Sequence, residues 1–363
     1  MPILITGGAG YIGSHTVKYF QEKNEQVIIV DNLQNGSERS IQADFLYKID
    51  IRDKDTFNEV FKAHNIEAVI HFAANSLVGE SMDKPYEYYH NNVYGMLCIL
   101  NLMQKNNVNK IVFSSTAAVY GEPKRIPIFE EDATNPTNTY GETKLAMEKM
   151  MKWFDRAHGI KYVSLRYFNA AGAHNSGLCG EDHYPETHLI PLILQVPLGK
   201  RDKIYIFGDD YPTEDGTCVR DYIHVMDLAS AHYRALDYLR KGNDSDIFNL
   251  GNGNGYSVKE VIQISRKVTS HPISAEVKAR RAGDPAILVA SSEKAKKILG
   301  WQPQYDSLEK IVKDAWRWHK NNVSGTPGGR EDAPCGGLGD SSGKRRLPGI
   351  FYSDGPTGTV FKD

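Results

Sequence analysis

The chain is short of cysteine, has no marked charge of either sign and contains no long apolar run. Its four cysteines (Cys98, Cys179, Cys218 and Cys335) stand far apart, with neither a C-x-x-C pair nor the spacing of a disulfide framework. A formal charge of −2 gives no sign of a nucleic-acid or membrane surface. No segment approaches the apolar length of a membrane span, and the first residues read as a core strand rather than a secretory leader. A reducing cytoplasm is the expected location. No internal repeat is visible. What is present is ordinary globular material, with 40% apolar and 24% charged residues over 363 positions, enough for about two domains.

The first thirteen residues organise the rest. Met1–Thr6 is a short apolar strand that runs into Gly7-Gly-Ala-Gly10-Tyr11-Ile12-Gly13, and an amphipathic stretch over Tyr11–Gln21 follows. Strand, glycine turn and helix in that order make a dinucleotide site. One glycine allows the tight turn and another lets the backbone approach the pyrophosphate. The last lets helix and strand pack, and the helix N-terminus faces the phosphates. A second strand, Gln26–Asp31, ends in an acid 18 residues beyond Gly13. A carboxylate there binds ribose hydroxyls and repels a 2′-phosphate, so NAD rather than NADP is expected.

Strands and helices then alternate, which predicts an α/β fold with a doubly wound parallel sheet of Rossmann type. Strands are expected near Asp44–Ile49, at Ala68–His71, Lys110–Ser114 and Lys161–Arg166. Helices are expected at Asp53–His64, from about Pro85 to Gln104, and from the Asn135-Pro136-Thr137 signal to His158. The alternation is lost after Phe168, where the domain change is placed. Val225–Lys241 reads as a helix and Asp246–Leu250 as a strand returning to the first domain. The division expected is therefore 1–168 for the nucleotide domain, with 218–251 returning to it, and 169–322 for a smaller α/β substrate lobe. In that lobe Ser257–Val268, Ser291–Leu299 and Leu308–Asn321 read as helices, the first with a Ser257/Glu260 capping box. Residues 323–363, rich in Gly, Pro and Ser with a Lys344-Arg345-Arg346 cluster, read as a disordered tail outside the fold.

The chemistry-bearing residues are Tyr140, Lys144 and Thr116. Tyr140 and Lys144 are four apart, so on a helix they share a face. A free phenol has a pKa near 10, and bringing it to about 7 takes roughly 4 kcal/mol. One ammonium about 4 Å away, at an effective dielectric near 20, supplies a contribution of that size. An oxidised nicotinamide would add to it. Thr116, at the end of a strand, has a hydroxyl that can hold or relay the proton.

These features together resemble the extended short-chain dehydrogenase/reductase superfamily. Longer strings resemble, within it, the UDP-glucose 4-epimerase (UDP-galactose 4-epimerase) family: His71–Ala74, Tyr88–Val93, Phe113–Gly121, Leu165–Asn169, Ile206–Thr217, Val219–Leu228 and Arg280–Pro285. The resemblance covers about residues 1–320. It implies that Tyr140 takes the proton of the sugar 4-hydroxyl while NAD takes the C4 hydride. The 4-keto sugar then turns over and is reduced on its other face, so the cofactor stays bound. It implies NAD contacts at Gly7, Gly10, Tyr11, Ile12, Gly13, Asp31, Asn32, Asn35, Asp50, Ile51, Phe72, Ala73, Asn91, Tyr140, Lys144 and Phe168. Thr116 and Tyr140 would contact the sugar, and Asn169, His188, Leu189, Phe207, Arg220, Arg281 and Asp284 the UDP part. Arginines suit a diphosphate because they offer charge-assisted donors. The resemblance further implies a homodimer built on the helices Pro85–Gln104 and Thr137–His158.

The chain departs from well-known members in having Thr116 for Ser, Ser76 where some carry a Lys, and His188 where some carry an Asn. Leu288 aligns with the residue that limits the sugar pocket, and its intermediate size makes activity on UDP-N-acetylhexosamines an added expectation. A 4,6-dehydratase would need an acid and a base where this chain has Ala117 and Ala118. A uronate 4-epimerase and an NAD-binding regulator are the remaining alternatives. No metal site is expected: His174, His183 and His188 lack ligand spacing and read as solvated loop residues. Cys98 reads as core.

Overall fold

The computed structural model describes residues 1–322 apart from 39, 40, 42–44, 178, 183, 184, 282 and 283. The 323–363 tail, with Cys335, lies outside the described residues, as do His183 and the first residue of the expected third strand, Asp44.

The sequence from Met1 to Tyr167 folds as β1 (Ile3–Thr6), α1 (Tyr11–Glu22), β2 (Val27–Asp31), β3 (Phe45–Lys48), α2 (Lys54–Ala63), β4 (Ala68–His71), α3 (Val78–Asp83), α4 (Pro85–Tyr88), α5 (Gly95–Lys105), β5 (Lys110–Ser114), α6 (Thr139–His158) and β6 (Lys161–Tyr167). Next come β7 (Asn169–Ala171), α7 (Leu189–Leu194), β8 (Ile204–Phe207), β9 (Val219–Arg220), β10 (Tyr222–His224), α8 (Val225–Arg240) and β11 (Asp246–Leu250). The last elements are β12 (Tyr256–Ser257), α9 (Val258–Thr269), β13 (Ala275–Lys278), β14 (Ile287–Leu288) and α10 (Leu308–Asn321).

Seven strands form one sheet in the order β11-β6-β5-β4-β1-β2-β3, and every neighbouring pair is parallel. This is the doubly wound Rossmann-type fold. Both faces are covered, so β1 and β2 are buried at every residue. The two-residue period of a strand divides the core. Ile3 and Ile5 join Val17 and Phe20 of α1 and Leu236 of α8 on one face, and Leu4 joins Phe57, Ile99 and Met147 on the other. Burying one such side chain contributes about 1.5–3 kcal/mol.

Phe168 separates β6 in this sheet from β7, which pairs with β10. The smaller lobe is built of short pairings, β13 with β8 and β9 between β12 and β14. They lie over a core shared by α7, α9 and α10, with Ile193, Val261 and Ile311 inside it. Helix α9 starts with the expected capping box: Ser257 Oγ accepts from Glu260 N (3.1 Å) and Glu260 Oε2 accepts from Ser257 N (2.7 Å).

Three expected helices differ. The Pro85–Gln104 helix is interrupted by a π-helical segment, Tyr89–Tyr94, between α4 and α5. The cause is Asn92, which is fully buried. Its Oδ1 accepts from Asn75 N (2.8 Å), while its Nδ2 donates to Asn75 O (3.0 Å) and Thr143 Oγ1 (3.0 Å). A widened turn reaches these partners where a regular one is tied to its own ladder. The Ser291–Leu299 run is helical mainly at its end, as a π turn over Ala295–Leu299. Its start is held extended, because Ala290 bridges Ile128 and Ser291 N donates to Ile128 O (2.8 Å). Helix α6 starts at Thr139 rather than Thr137, because Asn138 is its N-cap and accepts from Gly141 N (2.8 Å).

Candidate active site

In the sheet, the order reverses between β1 and β4, and a crevice opens beyond the carboxyl ends of strands at such a point. A cleft lies there. Ten expected cofactor residues line it: Gly7 and Gly10 after β1, Asp31, Asn32 and Asn35 at and after β2, Asp50 and Ile51 after β3, Phe72 and Ala73 after β4, and Asn91 from the π segment. Gly7 has φ +76°, and a Cβ on it would fall 2.5 Å from Ala73 N, so the turn tolerates no side chain. Asp31 is only 8% exposed, and its carboxylate accepts from Ala9 N (2.9 Å) and Leu33 N (2.8 Å). Burial raises its pKa against those two bonds. Asp50 is held at about 2 by its bonds to the Arg52 guanidinium.

Other expected cofactor residues are placed differently. The Tyr11 hydroxyl donates to Gly172 O (2.7 Å), fastening α1 to the segment after β7. Ile12 packs on the sheet core. Gly13 lies against the turn, where a Cβ would fall 2.0 Å from Gly7 O. Phe168 and Leu288 pack together against the cluster of Ala117, Val119, Tyr120, Ile128 and Leu145. Val30, Gln34, Gly36, Ala74 and Asn75 also line the cleft. Val30, Gln34 and Gly36 fall outside the expected cofactor set, and their place beside the end of β2 is the signal for them.

The catalytic candidates meet at the next strand. Just beyond β5, Thr116 caps a 3₁₀ turn, Ala117–Tyr120, and its Oγ1 accepts from Ala118 N (3.1 Å). The capped start of α6 sets Tyr140 in its first turn, with its backbone N–H donating to Ser81 Oγ (3.1 Å). The Thr116 hydroxyl faces the Tyr140 phenol closely enough to lower its pKa. Lys144 is buried; its Nζ donates to Ser114 O (2.8 Å) and lies 5.8 Å from the Tyr140 ring centre.

The expected UDP residues come from distant segments. Arg281 stacks on Phe207, 4.0 Å from the ring centre, and Arg220 Nη2 lies 3.3 Å from Asp284 Oδ1. Leu288 is the register partner of Arg220. Asn169 Nδ2 donates to Asp221 O (3.0 Å). His188 precedes Leu189 at the start of α7 and contacts the carboxylates of Glu181 (2.9 Å) and Glu186 (3.1 Å). Burial opposes its charge, but those carboxylates raise its pKa to about 10. The three side chains bring one nitrogen and two carboxylate oxygens within 4.8 Å of one another, and the imidazolium offsets one of the two acids. His174, expected to be solvated, is instead buried, and its Nδ1 is 2.7 Å from Ser176 Oγ. The buried Cys98 packs in α5 as expected.

A sequence model of one family matches residues 3–251. The chain belongs to the NAD dependent epimerase/dehydratase family. It is 61% identical over 325 residues to the UDP-glucose 4-epimerase of Halalkalibacterium halodurans, covering 90% of this chain and 97% of that one. Its fold matches a crystal structure of a UDP-glucose 4-epimerase at TM-score 0.88 and 58% identity, covering 90% and 99% of the two chains. A Bifidobacterium longum UDP-glucose 4-epimerase in complex with NAD+ and UDP matches at TM-score 0.84 and 42% identity, covering 90% and 100%.

For an NAD-dependent epimerase/dehydratase family member, the charge state of the Tyr–Lys pair decides what it can do. Burial pushes the Tyr140 phenol up to about 12, against the lowering effect of the Thr116 hydroxyl. Burial brings Lys144 down to about 7, against the Glu148 carboxylate. The expected base is this lysine together with an oxidised nicotinamide, and burial of the phenol raises the demand on both. Reaching 7 from about 12 takes about 7 kcal/mol. A full unit charge roughly 6 Å away at an effective dielectric of 20 gives about 3 kcal/mol. The polypeptide prepares the base, and a further positive charge must complete it.

Proposed function

We propose that this chain interconverts UDP-galactose and UDP-glucose by reversible epimerisation at C4 through a 4-keto sugar, with NAD held in the cleft between Gly7 and Asn91. The observation that carries this reading is the meeting of the Thr116 hydroxyl and the Tyr140 phenol, with Lys144 one turn along and bonded to Ser114 O, at the end of the strand beside the cleft. The names of the similar proteins support it.

The residues present fit a dinucleotide. Gly7 leaves its turn bare for a phosphate, α1 presents its N-terminus, and Asp31 presents a fixed carboxylate to ribose hydroxyls. When bound, NAD supplies the acceptor and donor of the C4 hydride and the positive charge that the tyrosine needs. Tyr140 then takes the proton of the 4-hydroxyl, Thr116 holds the phenol and the sugar oxygen, and the Lys144 ammonium stabilises the phenolate. On the return, Tyr140 gives the proton back to the new alcohol. Ala117 and Ala118 cannot move protons at C5 and C6, so elimination does not compete. Arg220 and Arg281 supply positive charge for the diphosphate, with Asn169, His188, Leu189, Phe207 and Asp284 around them.

Leu288 bounds the sugar side, and its intermediate size supports added activity on UDP-N-acetylhexosamines. A homodimer is supported by an exposed apolar patch formed by Tyr86, Tyr89, His90, Val93, Tyr94, Leu97 and Met150. It spans the two helical segments named for dimerisation, and Trp153 further along α6 is 63% exposed. Among the described residues no helix is long and apolar enough to cross a membrane, which supports a cytoplasmic location. Incubation with UDP-galactose, UDP-GalNAc and UDP-glucuronate in turn tests the substrate. UDP-glucose must appear from the first, and turnover of UDP-glucuronate alone overturns the reading. Sedimentation tests the dimer, and a monomer at micromolar concentration overturns it.

A further inference from the structure

Beneath the catalytic pair lies a buried ionic network that the mechanism does not use. Glu148 is one turn beyond Lys144 on α6 and 4% exposed. Its carboxylate accepts from Arg166 Nε (3.0 Å) and Nη2 (2.6 Å) on β6. It also accepts from Ser115 Oγ (2.5 Å). Arg166 Nη1 donates to the Tyr120 hydroxyl (2.9 Å), which donates to Asn249 Oδ1 (2.7 Å). A buried pair of this kind is weak support for stability, since desolvating two ions costs about what their attraction returns. Its geometry points elsewhere.

Ser114 and Ser115 are consecutive at the end of β5, and successive turns of α6 grip them: Lys144 takes the carbonyl of the first and Glu148 the hydroxyl of the second. Thr116 follows directly. Tyr120, bonded to Arg166, ends the turn that Thr116 caps. Tyr167 closes the other side, with its hydroxyl 2.5 Å from Ser114 Oγ. One network therefore sets the register of α6 against the strand end where Tyr140 and Thr116 meet.

The groups facing Lys144 are few. Tyr140 and Glu148 come from its own helix, Phe113 from β5 (4.9 Å to the ring centre) and His71 from β4. His71 is neutral, held at about 3 by burial and by Lys144 itself, and its Nδ1 is 2.7 Å from Thr6 Oγ1. The groups facing Glu148 are Arg166 and Tyr162 from β6, Ser115 from β5 and Lys144. Among the described residues, Glu148 is the carboxylate that acts on the Lys144 ammonium.

We propose that Glu148, clamped by Arg166 and Ser115, is a positioning residue for the epimerase chemistry, holding α6 in register on β5 and placing a fixed negative charge beside the Lys144 ammonium. This rests on the reading of Tyr140 and Lys144 given above. Without that charge the ammonium loses its proton at lower pH. Activity that requires a charged Lys144 then falls away earlier on the alkaline side.

The test uses the holoenzyme as purified, with kcat and KM for UDP-galactose followed from pH 5.5 to 9.5. In Glu148→Gln the alkaline limb of kcat moves to lower pH by about one unit, a tenfold loss on that limb, while KM stays within about twofold and Glu148→Asp keeps the limb. Glu148→Gln with Arg166→Gln leaves no unpaired buried charge and, because it removes one charge of each sign, moves the limb the same way by less, about half a unit; it is read where the single variant fails to fold. A kcat lowered equally at every pH, with an unshifted limb, overturns the proposal. Wild-type protein that makes no UDP-glucose overturns the underlying reading instead, so the two failures are distinct.

Discussion

The cleft proposed for the dinucleotide and the residues proposed for the UDP part are made in opposite ways. The cleft is built from strand ends within the first hundred residues, each a short segment with its own local signal, and its fixed charges are the carboxylates Asp31 and Asp50. The residues proposed for the UDP part come from five distant segments, and their cations are Arg220 and Arg281. The first region is proposed to exclude a 2′-phosphate through one placed acid, Asp31. The second must gather positive charge on a chain whose formal charge is −2. Thr116, Tyr140 and Lys144, proposed to serve both ligands, come from the end of β5 and the first turns of α6.

That contrast can be broken at its centre. Tyr140→Phe keeps the ring and removes the proton carrier, so kcat is expected to fall by about 10³-fold or more, with NAD content and UDP affinity unchanged. Steady-state rates with absorbance and calorimetry read all three, and a loss of UDP affinity instead would place Tyr140 among the UDP residues. Next in size, Arg220→Ala or Arg281→Ala should cost about 1.5–3 kcal/mol of UDP binding, roughly 10- to 150-fold, without releasing NAD. Asp31→Ala should do the reverse, weakening NAD by about tenfold at the same scale. If either substitution weakens both ligands equally, the two regions are not separable. Gly7→Ala forces a side chain onto φ +76° against Ala73 N. It should lower stability by about 2 kcal/mol, visible as a lower melting temperature and a protein that no longer retains NAD. The smallest effect is expected from Leu288→Tyr, which should lower the UDP-GalNAc to UDP-galactose rate ratio severalfold and leave the UDP-galactose rate nearly intact. An unchanged ratio would remove Leu288 from the sugar pocket.

The same contrast governs what could be read without coordinates. Gly7, Asp31, Ala73 and the strands that precede them were legible because a βαβ unit writes its turn, helix and acid within about thirty residues. The capping box at Ser257 was legible for the same local reason. The break at Tyr89–Tyr94 was not, because Asn92 bonds to Asn75 and Thr143, and no helical period announces such partners. His174 looked like a loop residue and is buried by packing that spacing does not encode. The positions of Phe207, Arg220, Arg281 and Asp284 came from the resemblance alone, since residues that meet across so many segments have no local pattern. The pKa values of Tyr140 and Lys144 depend on burial, so a Y-x-x-x-K spacing gives the partners and not the charge.

The most direct test of the site as one unit is conversion of UDP-galactose by the purified protein with no NAD added, the product sugars being separated and identified. UDP-glucose rising to a mixed equilibrium is the predicted result, because the cleft retains its dinucleotide and the cofactor ends each cycle as it began. Absence of product both without and with added NAD would contradict the account.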